Sequence, residues 1–293
     1  MIRHAQISDI PGLKKIWKKV FGDKDVYIDE FFAYAFSPEN VLCYQEGNEA
    51  AAVLYKLPCL IRGMDGQAEK AYYFYALATL KEYRGQGIMS RLIMRAKEEI
   101  RREGCRTIFL IPATDSLLAY YEPFGFRRVI RPQVFSLKGE SFERKALAAQ
   151  EIRLEEAWPE EGLELASRTL WRYTNKNVFF EEKTEALYCQ WSFRAEDSFL
   201  YKIIKNDKII GYLEGKTRGG EVWIQNYGIH TPHLEAAAGK LLALTGEERL
   251  KILAGDRLPG ARDGFGVDMQ AQTRPIAVCS STEWKQLQGF ILE

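Results

Sequence analysis

No apolar run in this sequence reaches membrane-spanning length: the longest, Ala71 to Leu80, falls well short of the ~20 residues that a bilayer helix needs. The N-terminus, Met1-Ile2-Arg3-His4-Ala5-Gln6, also lacks the apolar stretch of a secretory signal, so a cytoplasmic protein is expected. Excess charge of either sign is missing, because 41 Lys and Arg nearly cancel 40 Asp and Glu to leave +1. That balance excludes a global positive field, and neither a nucleic-acid nor a membrane partner is expected. Cysteine is scarce. The five residues Cys43, Cys59, Cys105, Cys189 and Cys279 are scattered, odd in number and free of any CxxC, which argues against a disulfide framework and a zinc cluster. His230-Thr231-Pro232-His233 has two imidazoles but no nearby thiol or clear carboxylate, so no metal is expected. What remains is 46% hydrophobic, 13% aromatic and 28% charged over 293 residues, the makeup of one or two packed domains.

Hydrophobic periodicity supplies the elements. Segment 1–7 reads as a short strand, after which Ser8 and Asp9 can cap a helix with Ile10, Leu13, Ile16, Trp17 and Val20 on one side. A second helix over about 24–36 ends at Ser37-Pro38-Glu39-Asn40. Val41–Gln45, Ala50–Arg62 and Ala68–Leu80 then read as an antiparallel meander. From Gly87 the spacing of Ile88, Leu92, Ile93, Ala96 and Ile100 becomes helical and runs to about Glu103. Thr107–Ile111 is a short buried strand, a brief helix follows at 115–122, and a strand pair within 124–138 completes an α+β unit.

Domain boundaries are placed at 1–139 and 150–293. The second part opens with a helix-rich stretch over about 156–195. Strands follow at Phe199–Lys205, Ile209–Lys216 and Glu221–His230, then a helix at 232–245. This order echoes the first half and suggests either a duplicated architecture or an unrelated α+β domain with matching spacing.

Chemistry concentrates in Leu77-Ala78-Thr79-Leu80-Lys81-Glu82-Tyr83-Arg84-Gly85-Gln86-Gly87-Ile88-Met89-Ser90, where a strand passes through a glycine turn into an amphipathic helix. The first turn of a helix has unpaired N–H groups and the positive end of its dipole. Gly85 and Gly87 also let phosphate oxygens approach the main chain with no Cβ in the way. A Walker loop would need Gly-Lys-Ser/Thr, and a dinucleotide fingerprint would need a third glycine where Ser90 stands.

Here the sequence resembles the GCN5-related N-acetyltransferases, whose Arg/Gln-x-x-Gly-x-Gly/Ala junction is matched by Arg84 and Gly87, with Met89 in place of the small residue. A second likeness is the short helix Leu117-Leu118-Ala119-Tyr120-Tyr121 before Gly125-Phe126, which puts Tyr121 in the place of the family's tyrosine, while its neighbour Tyr120 reads as a core residue. Leu110-Ile111-Pro112-Ala113 is similar to enhanced intracellular survival acetyltransferases, which have two such domains. The resemblance implies a mixed, mainly antiparallel sheet flanked by helices, followed by a second, degenerate unit of the same kind. Gly228 to Leu234 there lacks the glycine pair and the arginine, so the second half is not expected to bind coenzyme A.

The resemblance also implies acetyl-CoA as acyl donor. Main-chain groups of Leu77, Ala78 and Thr79 would meet the pantetheine arm and thioester oxygen, amides of Arg84, Gly85, Gln86, Gly87, Ile88 and Met89 the diphosphate, and Thr114 the pantetheine arm. Tyr121 would hydrogen-bond or protonate the departing thiolate, as the amine of a small molecule or peptide attacks the acetyl carbon directly. Tyr72-Tyr73-Phe74-Tyr75 carries aromatics where many relatives carry a catalytic carboxylate, which leaves Glu30, Asp115 and Glu293 as candidate bases. Two other readings stay open: an acyl or aminoacyl transferase acting on a thiol metabolite or using aminoacyl-tRNA, and a non-catalytic acyl-CoA-binding module.

Overall fold

The computed structural model describes residues 1–47, 49–62, 68–130, 133–138, 151–157, 178–179, 198–229, 231–254 and 276–280. Two compact units emerge, the first made of residues 1–130 together with a late strand at 276–280.

In the first unit, β1 (Ile2–His4) leads to α1 (Ile10–Phe21) and α2 (Asp25–Tyr34). Pro11 starts α1, and Gly22 stops it in the left-handed region at φ 75°, its N–H returning to Lys18 O at 3.1 Å. The meander is β2 (Val41–Glu46), β3 (Glu49–Arg62) and β4 (Ala68–Thr79). A crossover through α3 (Ile88–Arg102) reaches β5 (Thr107–Leu110), which lies parallel to β4. α4 is the single turn Leu118–Tyr121, and β6 (Arg128–Ile130) follows.

The apolar stripe of α3, Ile88, Leu92, Ile93, Ala96 and Ile100, is buried on one sheet face against Leu54, Phe74, Ile108 and Leu110. The opposite face packs on α1 and α2 through aromatics: the Trp17 ring lies 4.7 Å from Phe31, 5.5 Å from Tyr55 and 5.6 Å from Tyr75. Ile28, Phe31 and Phe32 of α2 are buried in this layer.

The second unit contains β7 (Gln133–Lys138), β8 (Ile152–Glu156), β9 (Val178–Phe179), β10 (Ser198–Lys205), β11 (Lys208–Arg218) and β12 (Glu221–Ile229). α5 (Thr231–Thr245) and β13 (Arg249–Ala254) complete its regular elements. Its sheet runs β7-β13-β12-β11-β10-β8, and α5 joins the parallel pair β12 and β13 as α3 joins β4 and β5. An antiparallel meander, a crossover helix and a parallel strand thus occur in both units.

The sequence reading puts both strands of 124–138 in the first unit. The structure differs: only β6 stays in the first sheet, while β7 pairs with β13 of the second. The place between β5 and β6 is filled instead by β14 (Ile276–Ser280), a strand the sequence reading does not foresee. Alternation along a strand records which face is buried but not which distant edge it joins. The helix-rich stretch expected over 156–195 lies outside the described residues, except that 156 closes β8, Ala157 follows it and 178–179 form β9.

One charged group is buried under α3. Lys56, on the central strand β3, donates to Glu99 Oε2 at 2.8 Å and has Glu103 Oε1 at 4.0 Å. His4 Nε2 and Arg95 Nε lie 3.3 and 2.8 Å from the other Glu99 oxygen, and Tyr72 donates its hydroxyl proton to Glu103. Burial raises the Glu99 pKa, but Lys56, His4 and Arg95 outweigh it and hold the carboxyl below its ordinary range. A lowered folded-state value means that this stabilisation is present above the ordinary glutamate pKa of about 4.3 and is lost as pH falls through the lower value. Glu99→Gln is therefore expected to cost about 3 kcal/mol in urea unfolding at neutral pH, because it strands Lys56. The difference from the wild type should begin to narrow below about pH 4.3 and close only beneath the lowered folded-state value.

Candidate active site

The parallel ladder between β4 and β5 is short: it pairs Ala71 with Thr107 and ends at Phe74 with Leu110. β4 nevertheless continues to Thr79, held on its other side by β3. The register with β3 shifts between Val53 and Tyr55, so Ala76 and Leu77 stand opposite the single residue Leu54. Ala76 lies there at φ 46°, a left-handed conformation that alanine rarely adopts. The bulge re-aims the strand end, and residues 75–79 have no strand partner on the β5 side among the described residues. Leu77 and Thr79 are half-buried and Ala78 is buried. The Thr79 hydroxyl oxygen is enclosed without a hydrogen-bond partner among the described residues.

The strand end runs into the glycine turn. Arg84 Nε donates to the Thr79 carbonyl at 3.0 Å and ties the loop back to β4, and Gln86 reaches the Glu82 carbonyl only at 3.5 Å. Gly85 and Gly87 have φ of 77° and 67°, and Gly87 is the N-cap of α3 with no side-chain cap. The first bond into the helix is Arg91 N–H to Gly87 O at 3.1 Å, so the amides of Ile88, Met89 and Ser90 precede it. A Cβ on either glycine would meet nothing within 4 Å. The glycines are thus demanded by φ, and the space above them is open. Ile88 is buried, while Met89 packs against the core of α3. These features suit the approach of a diphosphate to the Gly85–Gly87 backbone, with the large residue at 89 packed on the core; the Arg84 N–H is itself engaged by the Lys81 carbonyl at 3.3 Å.

Tyr121 is 7% exposed, and its ring makes edge contacts with Tyr120 at 5.1 Å and Phe126 at 5.9 Å. No hydrogen-bond partner of its hydroxyl is found among the described residues. Burial, with a smaller push from Tyr120, raises its pKa to about 12. The sequence reading makes Tyr120 the core residue of the two. The reverse holds, since Tyr120 is 39% exposed, with its hydroxyl 3.5 Å from Ser90 Oγ.

Thr114 is exposed at the N-cap of a 3₁₀ turn, and its hydroxyl meets Ser116 Oγ at 2.7 Å instead of a backbone amide. Of the candidate bases, Glu30 is half-buried on α2, Asp115 is exposed and Glu293 lies outside the described residues. On the α1/α2 face, Tyr75 and Tyr27 share a hydroxyl–hydroxyl bond of 2.9 Å. Burial, then Tyr27, pushes Tyr75 well above the ordinary tyrosine pKa. The sequence reading had no signal for this pair, because their 48-residue separation closes only through the packing of α2 on β4.

The family model "Acetyltransferase (GNAT) domain" matches residues 1–129. The N-terminal unit is a GNAT acetyltransferase domain. The protein is accordingly an acyltransferase, and its family chemistry is acetyl transfer from acetyl-CoA. The chain is similar to N-alpha-acetyltransferase 30 of Schizosaccharomyces pombe, at 27% identity over 138 residues, covering 46% of this chain and 87% of that protein. Among solved structures it resembles a GCN5-related N-acetyltransferase from Anabaena variabilis, with TM-score 0.72 and 18% identity over 95% of this chain and 72% of that one. It also resembles Eis1 from Mycobacterium abscessus, with TM-score 0.70 and 12% identity over 96% and 73% of the two chains. Those two likenesses span both units and show a second GNAT-like fold after the first.

Among the described residues, no group of three His, Cys, Asp or Glu is placed to hold a metal, and no helix is long and apolar enough to cross a membrane. The strain at Ala76 is directly testable. Ala76→Val puts a β-branched side chain at φ 46° and is expected to cost about 1–3 kcal/mol in thermal or urea unfolding. Ala76→Gly, which adopts that φ freely, should hold or gain up to about 1 kcal/mol.

Proposed function

We propose that the GNAT domain of this chain is an N-acetyltransferase that transfers the acetyl group of acetyl-CoA to a primary amine by direct attack. The reading is supported foremost by the open edge of β4 leading straight into the left-handed Gly85 and Gly87 at the N-terminus of α3. When bound, acetyl-CoA supplies an activated thioester, and the amine takes its acetyl group as the C–N bond forms and the C–S bond breaks. Main-chain groups of Leu77, Ala78 and Thr79 orient the arm and the thioester oxygen. The amides from Gly85 to Met89 hold the diphosphate, that of Arg84 being bonded to the Lys81 carbonyl, each charge-assisted bond contributing roughly 1.5–3 kcal/mol, and Thr114 offers its hydroxyl to the arm.

Tyr121 acts by hydrogen bonding. At a pKa of about 12 its proton faces a thiolate whose conjugate acid lies near ~8.5, so full transfer runs uphill by roughly 5 kcal/mol. Donation without transfer still stabilises the charge that develops on the departing sulfur. The acceptor side has a separate cost, because freeing an amine of pKa ~10.4 at neutral pH takes about 4–5 kcal/mol. The second unit lacks the glycine pair at the start of α5, so a single donor molecule per chain is proposed.

Calorimetry with acetyl-CoA tests the cradle. Gly87→Glu should weaken binding at least 100-fold, about 2.7 kcal/mol, through bulk and charge. The fold should survive at a cost of about 1–2 kcal/mol for a side chain at φ 67°, because position 87 faces open space. Turnover is read as free thiol with three probes: glycylglycine for an α-amine, Nα-acetyllysine amide for a side-chain amine and putrescine for a diamine. Tyr121→Phe should lower kcat about 100-fold with unchanged acetyl-CoA affinity. With a donor of pKa about 12, no basic limb below pH 10 should vanish in that variant. Binding without thiol release from any probe, and with Tyr121→Phe inert, would favour a non-catalytic acyl-CoA-binding module.

A further inference from the structure

Tyr121 sits on a helix of one turn, and four residues cannot fix their own orientation in water. The position of its ring therefore depends on what grips the segment that follows. That segment is the 3₁₀ turn Glu122–Phe124, closed by Gly125 at φ 90°. Its bonds to the α4 end are Gly125 N–H to Glu122 O at 2.9 Å and Phe126 N–H to Tyr121 O at a long 3.4 Å.

Two side chains from elsewhere hold this turn. Lys97, on α3, donates its ammonium to the Phe124 carbonyl. Cys279, on β14, places Sγ 3.7 Å from the same carbonyl oxygen, across 155 residues of sequence. A Cβ built on Gly125 would lie 3.1 Å from Cys279 Sγ and 3.4 Å from Lys97 Nζ, so the glycine fits into a gap that these two side chains define. Cys279 also packs on the same apolar cluster as Tyr121 and Phe126. β14 itself is held on both sides, by β5 and by β6. The thiol is thus carried on an inner strand of the sheet, a rigid mount for a small contact.

We infer that Cys279 is a positioning residue for Tyr121, and that β14 is thereby a working part of the acetyl-transfer site. The inference rests on the role proposed above for Tyr121. Cys279 touches neither donor nor acceptor: it sets the Phe124–Gly125 turn, and the turn sets the hydroxyl. The diphosphate cradle at Gly85–Met89 is built from other residues, so affinity for acetyl-CoA and the rate of transfer should separate.

The test uses the full chain, acetyl-CoA and the most active of the three amine probes. Cys279→Met drives bulk at Gly125 and is expected to lower kcat at least tenfold, with the acetyl-CoA dissociation constant within twofold of wild type. Cys279→Ser, close in size and still a donor toward the Phe124 carbonyl, should restore kcat to within threefold. In a Tyr121→Phe background Cys279→Met should cost less than twofold, because its target is gone. Amide hydrogen exchange at residues 118–126 should speed up at least fivefold in Cys279→Met and return in Cys279→Ser.

A full tenfold loss in the Tyr121→Phe background, an unchanged kcat in Cys279→Met, or unchanged exchange at 118–126 would each overturn the inference. If Tyr121→Phe keeps wild-type turnover, or no probe releases thiol, the role of Tyr121 falls. Exchange alone then decides whether Cys279 sets the turn. Should Cys279→Met fold poorly, Cys279→Ala opens a gap instead and is judged by the same ratios, with about a threefold loss expected.

Discussion

The parting of β4 from β5 after Phe74 is the constraint on which the remainder of the site depends. Backbone N–H and C=O groups require partners, and a strand that leaves its neighbour must find water or a ligand for them. The bulge at Ala76 makes the parting local and abrupt. The connection places the rest, because a right-handed crossover from β4 to β5 starts its helix where β4 ends. An open strand edge and a helix N-terminus therefore meet at one end of the sheet, the position at which ligands sit in parallel α/β arrangements. The second unit has the same crossover between β12 and β13. It lacks a glycine in the left-handed region at the start of α5, so the shared topology does not bring an anion site with it.

Much of this was legible because it is local. Gly85 and Gly87 mark backbone that other residues rarely adopt, and the stripe from Ile88 to Ile100 fixes both the start of α3 and its buried face. The meander was equally readable, since Glu46-Gly47-Asn48 and Gly63-Met64-Asp65-Gly66 punctuate its three strands. Ala76 shows the opposite situation: alanine at φ 46° carries no mark in the sequence, and the feature that opens the cleft is silent there. The choice between Tyr120 and Tyr121 also exceeded what periodicity decides, because one helical turn is too short to define a face.

The widest gap between sequence and structure concerns strand partners. β7 and β14 each have an ordinary strand composition, yet each completes the sheet of the other unit's sequence neighbourhood. Lys56 poses a similar problem at the level of one side chain. A lysine on a central strand reads as an exception to burial until Glu99 and Glu103, more than 40 residues away, are brought beneath it. Both cases depend on contacts between distant parts of the chain, which the spacing of neighbouring residues does not encode.

The insertion of β14 between β5 and β6 has a consequence for biogenesis. As the polypeptide leaves the ribosome, the first sheet stays unfinished until residue 280 has emerged, with the outer rim of β5 uncovered for most of translation. Contacts of such long sequence separation slow folding and leave strand rims exposed to wrong partners. Assembly of the N-terminal half is thereby timed by the completion of the C-terminal half, and a chain interrupted before Ile276 cannot close its own first sheet.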